Sequence, residues 1–173
     1  MTESYWDDDP FPKAYLLTFR TYGTWHHGDN RGSVDRSGFN KFNGRKMAEN
    51  HGLEEKEAAS QKALPFLLNR EQRRAVYHAI REVCRFRDYA IFALNVRTNH
   101  IHVVVSAQAK PEKIIEAFKS YATRRLRSEG LVSLDAKVWA RHGSTRYLWK
   151  DRSVNAAIEY VLHGQGEDVP ETF

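Results

Sequence analysis

Cysteine is almost absent from this 173-residue chain, and long apolar runs are missing altogether. The single cysteine, Cys84, can form neither an intrachain disulfide nor a cysteine-based zinc site, so we expect it to serve in packing. No stretch approaches the ~20 apolar residues of a membrane-spanning helix. The acidic start also lacks the basic-then-apolar order of a signal peptide. These absences predict a cytoplasmic protein with no membrane partner.

The composition of what is present predicts one globular domain. Hydrophobic residues make up 41% of the chain and charged residues 28%, which is enough to build an ordinary core. The length suits a single domain over residues 1–173, with flexible tails at 1–13 and 165–173 and a long inserted connection at 22–69. The net charge of +5 is weak support for a phosphate-bearing partner. Residues 119–127 carry four cations and no carboxylate.

Hydrophobic periodicity predicts six principal elements and one further helix. The order strand, helix, strand, strand, helix, strand is typical of the ferredoxin-like split βαβ sandwich. The fold class is therefore α+β, an antiparallel sheet with helices packed on one face. The predicted segments are a strand at 14–21, a helix from the capping pair Asn69 and Gln72 to about 87, strands at 89–96 and 101–105 around a tight hairpin, a helix from Pro111 to about Gly130, a short strand at 147–149 and a last helix over 154–162.

Two histidines at the start of a predicted strand form the first candidate site. His100 and His102 are two residues apart, so their imidazoles point to one face of the strand while Ile101 and Val103 point to the other. Two nitrogen ligands leave most of a metal's coordination shell open, as a catalytic site requires. The pair can equally be two partly exposed polar residues.

A tyrosine on the following helix forms the second candidate. Tyr121 lies about 100° round from the centre of that helix's apolar stripe, with Arg124 and Arg125 one turn further on. A phenol in this position can pack, donate a hydrogen bond or act as a nucleophile. The two arginines can bind phosphate or form a solvated basic face.

Two segments in this order resemble the HUH single-tyrosine transposases of insertion sequences. They are Asn-His-Ile-His-Val-Val-Val-Ser at 99–106 and Phe-Lys-Ser-Tyr-Ala-Thr-Arg-Arg-Leu at 118–126. Segments at 15–25, 28–32 and 141–149 are similar to the branch associated with repetitive extragenic palindromes. The resemblance spans roughly residues 14–165.

This resemblance implies a metal-dependent DNA nicking and joining enzyme. Tyr121 would attack a phosphate of single-stranded or hairpin DNA, including palindromic repeats, and form a 5′-phosphotyrosine. Mg²⁺ or Mn²⁺ on His100 and His102 would assist. No nucleotide cofactor is expected, in keeping with the lack of a Gly-x-x-x-x-Gly-Lys-Ser/Thr loop. The chain could act as a homodimer.

The third metal ligand departs from the family pattern. Arg125 occupies the position one helical turn after Tyr121, where the family often places a neutral polar ligand, and a guanidinium cannot bind a cation. The remaining candidates are His142, His163, Asp29, Gln165 and water.

DNA binding is expected to combine cations against phosphates with tryptophans against bases. Three alternatives stay open: a DNA-binding protein of the same fold without cleavage activity, a ferredoxin-like RNA-binding module, and a two-histidine phosphodiesterase using His142 and Ser144. The predicted DNA-binding residues are Lys119, Arg124, Arg125, Arg127, Arg141, Arg146, Lys150 and Trp25, with Trp149 as a second candidate for stacking.

Overall fold

A computed structural model describes residues 10–24 and 64–164, and this part of the chain contains four strands and three helices. The strands form one antiparallel sheet in the order β2-β3-β1-β4, with β3 and β1 in the centre. This topology confirms the α+β split βαβ prediction. The elements are β1 (Ala14–Thr21), α1 (Arg70–Phe86), β2 (Ala90–Val96), β3 (His100–Ser106), α2 (Pro111–Ser128), β4 (Trp139–Leu148) and α3 (Asp151–His163).

The two faces of the sheet bury two separate clusters of apolar side chains. Helices α1 and α2 cover the face that carries Phe19 and Ile101. Helix α3 covers the other face, where Val161 packs against Val104 and Leu148. The expectation of helices on one face therefore holds for α1 and α2 only, because the last helix lies outside the split βαβ repeat and shields the second face.

Local signals set several element boundaries. Helix α1 begins at a capping box in which Asn69 and Gln72 exchange side-chain-to-backbone hydrogen bonds of 2.9 Å. The predicted β2–β3 hairpin is closed by the Arg97 N–H, which donates to the His100 carbonyl at 2.9 Å. Cys84 is 3% exposed and belongs to the core, which confirms its predicted role in packing.

Strand β4 is longer than its sequence predicts. It covers ten residues, Trp139–Leu148, whereas the predicted strand began only at Tyr147. Its first part is polar and largely exposed, so apolar alternation is missing there. Backbone pairing with β1 forms the strand instead.

Part of the predicted N-terminal tail is packed against the fold. Pro12 is buried, and the Lys13 ammonium donates to the Asp151 carboxylate at 2.8 Å. Across the described ranges no helix is both long and apolar enough to cross a bilayer. Trp25, Asp29, Gln165 and most of the predicted 22–69 connection lie outside the described residues.

Candidate DNA-processing site

His100 and His102 lie side by side near the N-terminal end of β3. Their ring centroids are 4.8 Å apart at an interplanar angle of 74°. His102 is 6% exposed and His100 is partly exposed. We call the side of the sheet that carries them the histidine face. The sequence prediction that the two imidazoles share one face is correct in this geometry.

Each imidazole has an oxygen atom beside its Nδ1 atom. Asn99 Oδ1 lies 2.7 Å from His100 Nδ1, and Thr18 Oγ1 lies 2.7 Å from His102 Nδ1. An amide oxygen only accepts, so His100 donates from Nδ1 and keeps the lone pair on Nε2. The Thr18 hydroxyl can accept from His102 in the same way. Both Nε2 atoms then carry the lone pair that a metal ligand needs, which is how metal-binding histidines are usually oriented.

The backbone that carries Asn99 is fixed by two threonines, Thr21 at the end of β1 and Thr24 three residues later. The Asn99 carbonyl accepts from the Thr21 N–H at 3.0 Å, from the Thr21 hydroxyl at 3.2 Å and from the Thr24 hydroxyl at 3.4 Å. Thr21 is fully buried and Thr24 is 8% exposed. These bonds hold the β2–β3 turn, and with it the residue that contacts His100. Thr24, in the Gly-Thr sequence at 23–24, therefore has a structural role, which is to hold this turn.

Helix α3 brings a tyrosine to the histidine face. The Tyr160 ring packs edge-on against His102, with centroids 5.6 Å apart and an interplanar angle of 71°. Tyr160 is 46% exposed, so its ring touches the histidine and remains open to solvent. The sequence prediction missed this residue.

Two contacts fix the last turn of α3. The Asn95 side chain, 2% exposed, donates from Nδ2 to the Val161 carbonyl at 2.9 Å. Asn95 is also the β2 partner of His102 in the sheet register. A Cβ on Gly164 would lie 2.8 Å from the Tyr160 carbonyl oxygen and 3.0 Å from its ring, so only glycine fits there without displacing the tyrosine.

Tyr121, the nucleophile predicted from the sequence, does not share a face of the sheet with His100 and His102. It lies on α2 and packs against the cluster that contains Ile101 and Val103, on the other side of β3. The reason is the strand alternation that unites the two imidazoles: odd-numbered β3 residues face α2 and even-numbered ones face away. Within one chain the sheet therefore separates Tyr121 from the histidines.

The two arginines near Tyr121 are engaged differently. The Arg124 guanidinium lies 4.9 Å from the Tyr121 ring centroid, a cation–π contact that leaves Arg124 exposed. Arg125 is bonded to Glu129 at 2.8 Å and to Glu82 of α1 at 3.3 Å. Arg125 therefore links α1 to α2, and its charge is compensated by two carboxylates.

The other predicted DNA-binding cations divide between the two faces. Arg146 pairs in register with Leu16, whose side chain packs on the histidine face, so Arg146 lies on that face too. Burial lowers the pKa of the Arg146 guanidinium. Lys119 lies on the opposite side, where burial lowers the pKa of its ammonium to about 8. Arg20, which the sequence prediction missed, pairs in register with His100 and so shares its face. Lys150 is exposed and directly precedes α3.

The ligand set at the histidine pair is incomplete within the described residues. These ranges contain no group of three or more His, Cys, Asp or Glu side chains able to hold a metal ion. His163, one turn after Tyr160 on α3, has its Nε2 atom 3.9 Å from Glu159. His142 lies on β4. Two imidazoles side by side fit a divalent cation whose other positions would be filled by water and phosphate oxygens.

A family model described as "Transposase IS200 like" matches residues 61–159, more than half of the chain and a range that includes both histidines. The solved structure described as "Structure of the REP associates tyrosine transposase bound to a REP hairpin" has a similar fold. Its TM-score is 0.51 at 13% sequence identity, and the match covers 89% of this chain and 67% of that chain. A comparison with curated proteins gave no match.

Proposed function

Because this chain belongs to the family of IS200-like transposases, we propose that it cuts and rejoins single-stranded DNA with Tyr160 as nucleophile beside a metal ion on His100 and His102. The contact between the Tyr160 and His102 rings carries the proposal. It unites a solvent-accessible phenol with two imidazoles that lie side by side. The described relative bound to a REP hairpin supports hairpin DNA as the substrate class.

Each chemical step of this reaction is a transesterification. The Tyr160 oxygen bonds to phosphorus and its proton passes to water. The bond from phosphorus to the 3′ oxygen breaks, and that oxygen takes a proton from water. The products are a 5′-phosphotyrosine and a free 3′-hydroxyl. Attack of a 3′-hydroxyl on the adduct reverses the step and releases Tyr160, so no nucleotide cofactor is needed.

The residues of the histidine face have separate tasks in this scheme. Mg²⁺ or Mn²⁺ bound by the two Nε2 atoms would polarise a phosphoryl oxygen. Arg20 and Arg146 lie on the same face and stabilise the negative charge that builds up on the phosphate during attack. Asn99, whose amide oxygen can only accept, would hold His100 in the tautomer that presents Nε2, and the Thr18 hydroxyl does the same for His102 when it accepts.

A comparison of two tyrosine variants tests the proposal. The protein is incubated with a hairpin-bearing single-stranded oligonucleotide and Mn²⁺, and a protein–DNA adduct that resists denaturation is sought on a gel. Tyr160→Phe should abolish the adduct and leave DNA binding intact, because only the phenolic oxygen is lost. Tyr121→Phe is the matched control and should retain the adduct. His102→Ala should lose it, together with metal binding.

The opposite pattern would overturn the assignment. If Tyr121→Phe lost the adduct and Tyr160→Phe kept it, the nucleophile would be Tyr121, supplied by a second copy of the chain. If the wild-type protein bound DNA and gave no adduct under any metal condition, the cleavage proposal would be wrong.

A second candidate function is DNA binding without cleavage. The observation that favours it is the lack of a third His, Cys, Asp or Glu ligand at the histidine pair within the described ranges. The RNA-binding alternative is less consistent with the fold, because α3 covers the sheet face that would have to be open for base stacking.

A further inference from the structure

We propose that a groove between α2 and β4 binds the single-stranded DNA that leads away from the reacting phosphate. The groove lies on the side of the sheet opposite to His100 and His102, so it is a second contact surface rather than part of the reaction site. This inference rests on the function proposed above. It assigns separate tasks to the two sides of the protein, cleavage on one and retention of the strand on the other.

The groove consists of two adjoining clefts that share Lys119. One has a volume of about 480 Å³ and runs along α2 beside Trp139. The other, of about 720 Å³, continues along β4 past Arg141 to Tyr147. Lys119 reaches across from α2 to β4 here and donates to the Ala140 and His142 carbonyls at 2.8 and 3.1 Å. We call the combined feature the α2–β4 groove.

The smaller cleft has the composition of a phosphate-binding surface. Lys119, Arg124 and Arg127 contribute three cations to its lining, which contains no carboxylate. An ammonium has three N–H donors, so Lys119 keeps one beyond its two backbone carbonyls. Ser120 adds a hydroxyl, a group that often contacts phosphate oxygens, whereas the Thr123 hydroxyl already donates to the Lys119 carbonyl at 2.8 Å.

The far end of the larger cleft has a different composition. Glu112 and Glu116 lie there, and Glu116 is already paired with Lys113 at 3.0 Å, so phosphates are disfavoured. Beside them Tyr147 and Trp149 stack on each other, with ring centroids 6.4 Å apart and 13° between their planes. They are 48% and 53% exposed. Exposed aromatic rings at the end of a cationic groove are typical of single-strand binding, where bases stack on them.

The topology gives a short path between the two sides. Strand β4 is an edge of the sheet. In register, His102 is next to Thr18 on β1, and Thr18 is next to Ser144 on β4. Two strand spacings of ~4.8 Å place this edge ~10 Å from His102. A strand held at Tyr160 can therefore cross Ser144 and Arg146 and turn round β4 into the groove.

The test measures binding in chains that cannot cleave. All proteins carry Tyr160→Phe, and affinity for a fluorescent ~16-nucleotide single strand is followed by anisotropy at several salt concentrations. Arg124→Gln with Arg127→Gln should weaken binding about 10-fold at ~0.1 M salt. The salt-dependence slope should fall by ~1.4, that is ~0.7 for each lost phosphate contact. Arg74→Gln with Arg85→Gln is the matched control, since it removes two exposed α1 cations outside the groove and should change neither quantity.

The aromatic end is tested in the same assay. Trp149→Ala should weaken binding at least about 5-fold, as expected for one lost stacked base. Phe86→Ala is the control, because Phe86 is 77% exposed and lies at the end of α1.

Equal losses of affinity in the Arg124/Arg127 variant and in the Arg74/Arg85 variant would overturn the proposal, because net charge alone would then explain binding. No loss in the groove pair would overturn it as well. A Trp149→Ala chain that binds like Phe86→Ala would overturn the stacking end. Unchanged melting temperatures exclude unfolding as a cause. Absence of the adduct in a wild-type protein that still binds DNA would instead count against cleavage.

Discussion

Replacing Asn95 with leucine tests whether the anchored end of α3 places Tyr160. Asn95 is buried, faces His102 across the β2–β3 register, and donates to the carbonyl of the residue that follows Tyr160. Leucine has a similar size and cannot donate. The substitution therefore removes this link between α3 and the histidine face and leaves His100, His102 and Tyr160 themselves unchanged.

Two magnitudes follow from this geometry. A buried hydrogen bond to a carbonyl contributes about 1 kcal/mol, and up to ~3 kcal/mol if its partner is left unsatisfied. For a chain of this length we expect a fall in melting temperature of ~2–10 °C. The effect on catalysis should be larger. A nucleophile displaced by ~1 Å loses about 100-fold in rate, while the cations that hold DNA are untouched.

The assay compares adduct formation with DNA affinity at a temperature where the variant remains folded. We expect Asn95→Leu to form the adduct about 100-fold more slowly with an unchanged Kd. Asn155→Leu, the same substitution at an exposed site on α3, should change neither. The role of Asn95 in positioning Tyr160 would be refuted if Asn95→Leu formed the adduct at the normal rate. It would also be refuted if the rate fell only in proportion to the amount of folded protein.

Two further predictions follow from other contacts. Asn99→Ala removes the oxygen that accepts from His100 Nδ1, so Mn²⁺ affinity measured by calorimetry should fall about 10–100-fold, while Asn155→Ala should leave it unchanged. Burial raises the pKa of the Cys84 thiol to about 12. The native state therefore favours the neutral thiol. Relative to Cys84→Ala, the free energy of unfolding should fall by ~1.4 kcal/mol per pH unit between about pH 9 and pH 12. A constant difference between the two proteins over this range would contradict the burial of this thiol.

Features set by neighbours in the chain could be predicted from the sequence. The cap at Asn69 and Gln72 involves residues three apart, and the shared face of His100 and His102 follows from the two-residue repeat of a strand. Neither needs knowledge of the tertiary fold. The element order likewise sufficed to predict the sheet topology, because split βαβ units have few alternatives.

Features set by distant pairing could not be read from local patterns. The first part of β4 contains Gly143 and Ser144 among charged residues, so no apolar alternation marks it as a strand. Its backbone pairs with β1, more than a hundred residues away in the chain. The bonds from Thr21 and Thr24 to the Asn99 carbonyl span a similar separation. Such contacts produce no periodic pattern of apolar residues in the sequence.

The separation of Tyr121 from the two histidines has a different origin, because the information needed to predict it was present in the sequence. Both crossover helices of a split βαβ fold lie on one side of the sheet, since such connections are right-handed. Their apolar stripes must cover the apolar side of β3, which carries Ile101 and Val103. His100 and His102 alternate with those residues, so they must face away from α2 and from Tyr121. A partner within the chain had to come from an element that covers the other side, and α3 presents Tyr160 there. The position of a tyrosine around its helix is therefore insufficient to assign the tyrosine to a site. One must also ask which residues of the strand beneath that helix face the helix and which face away.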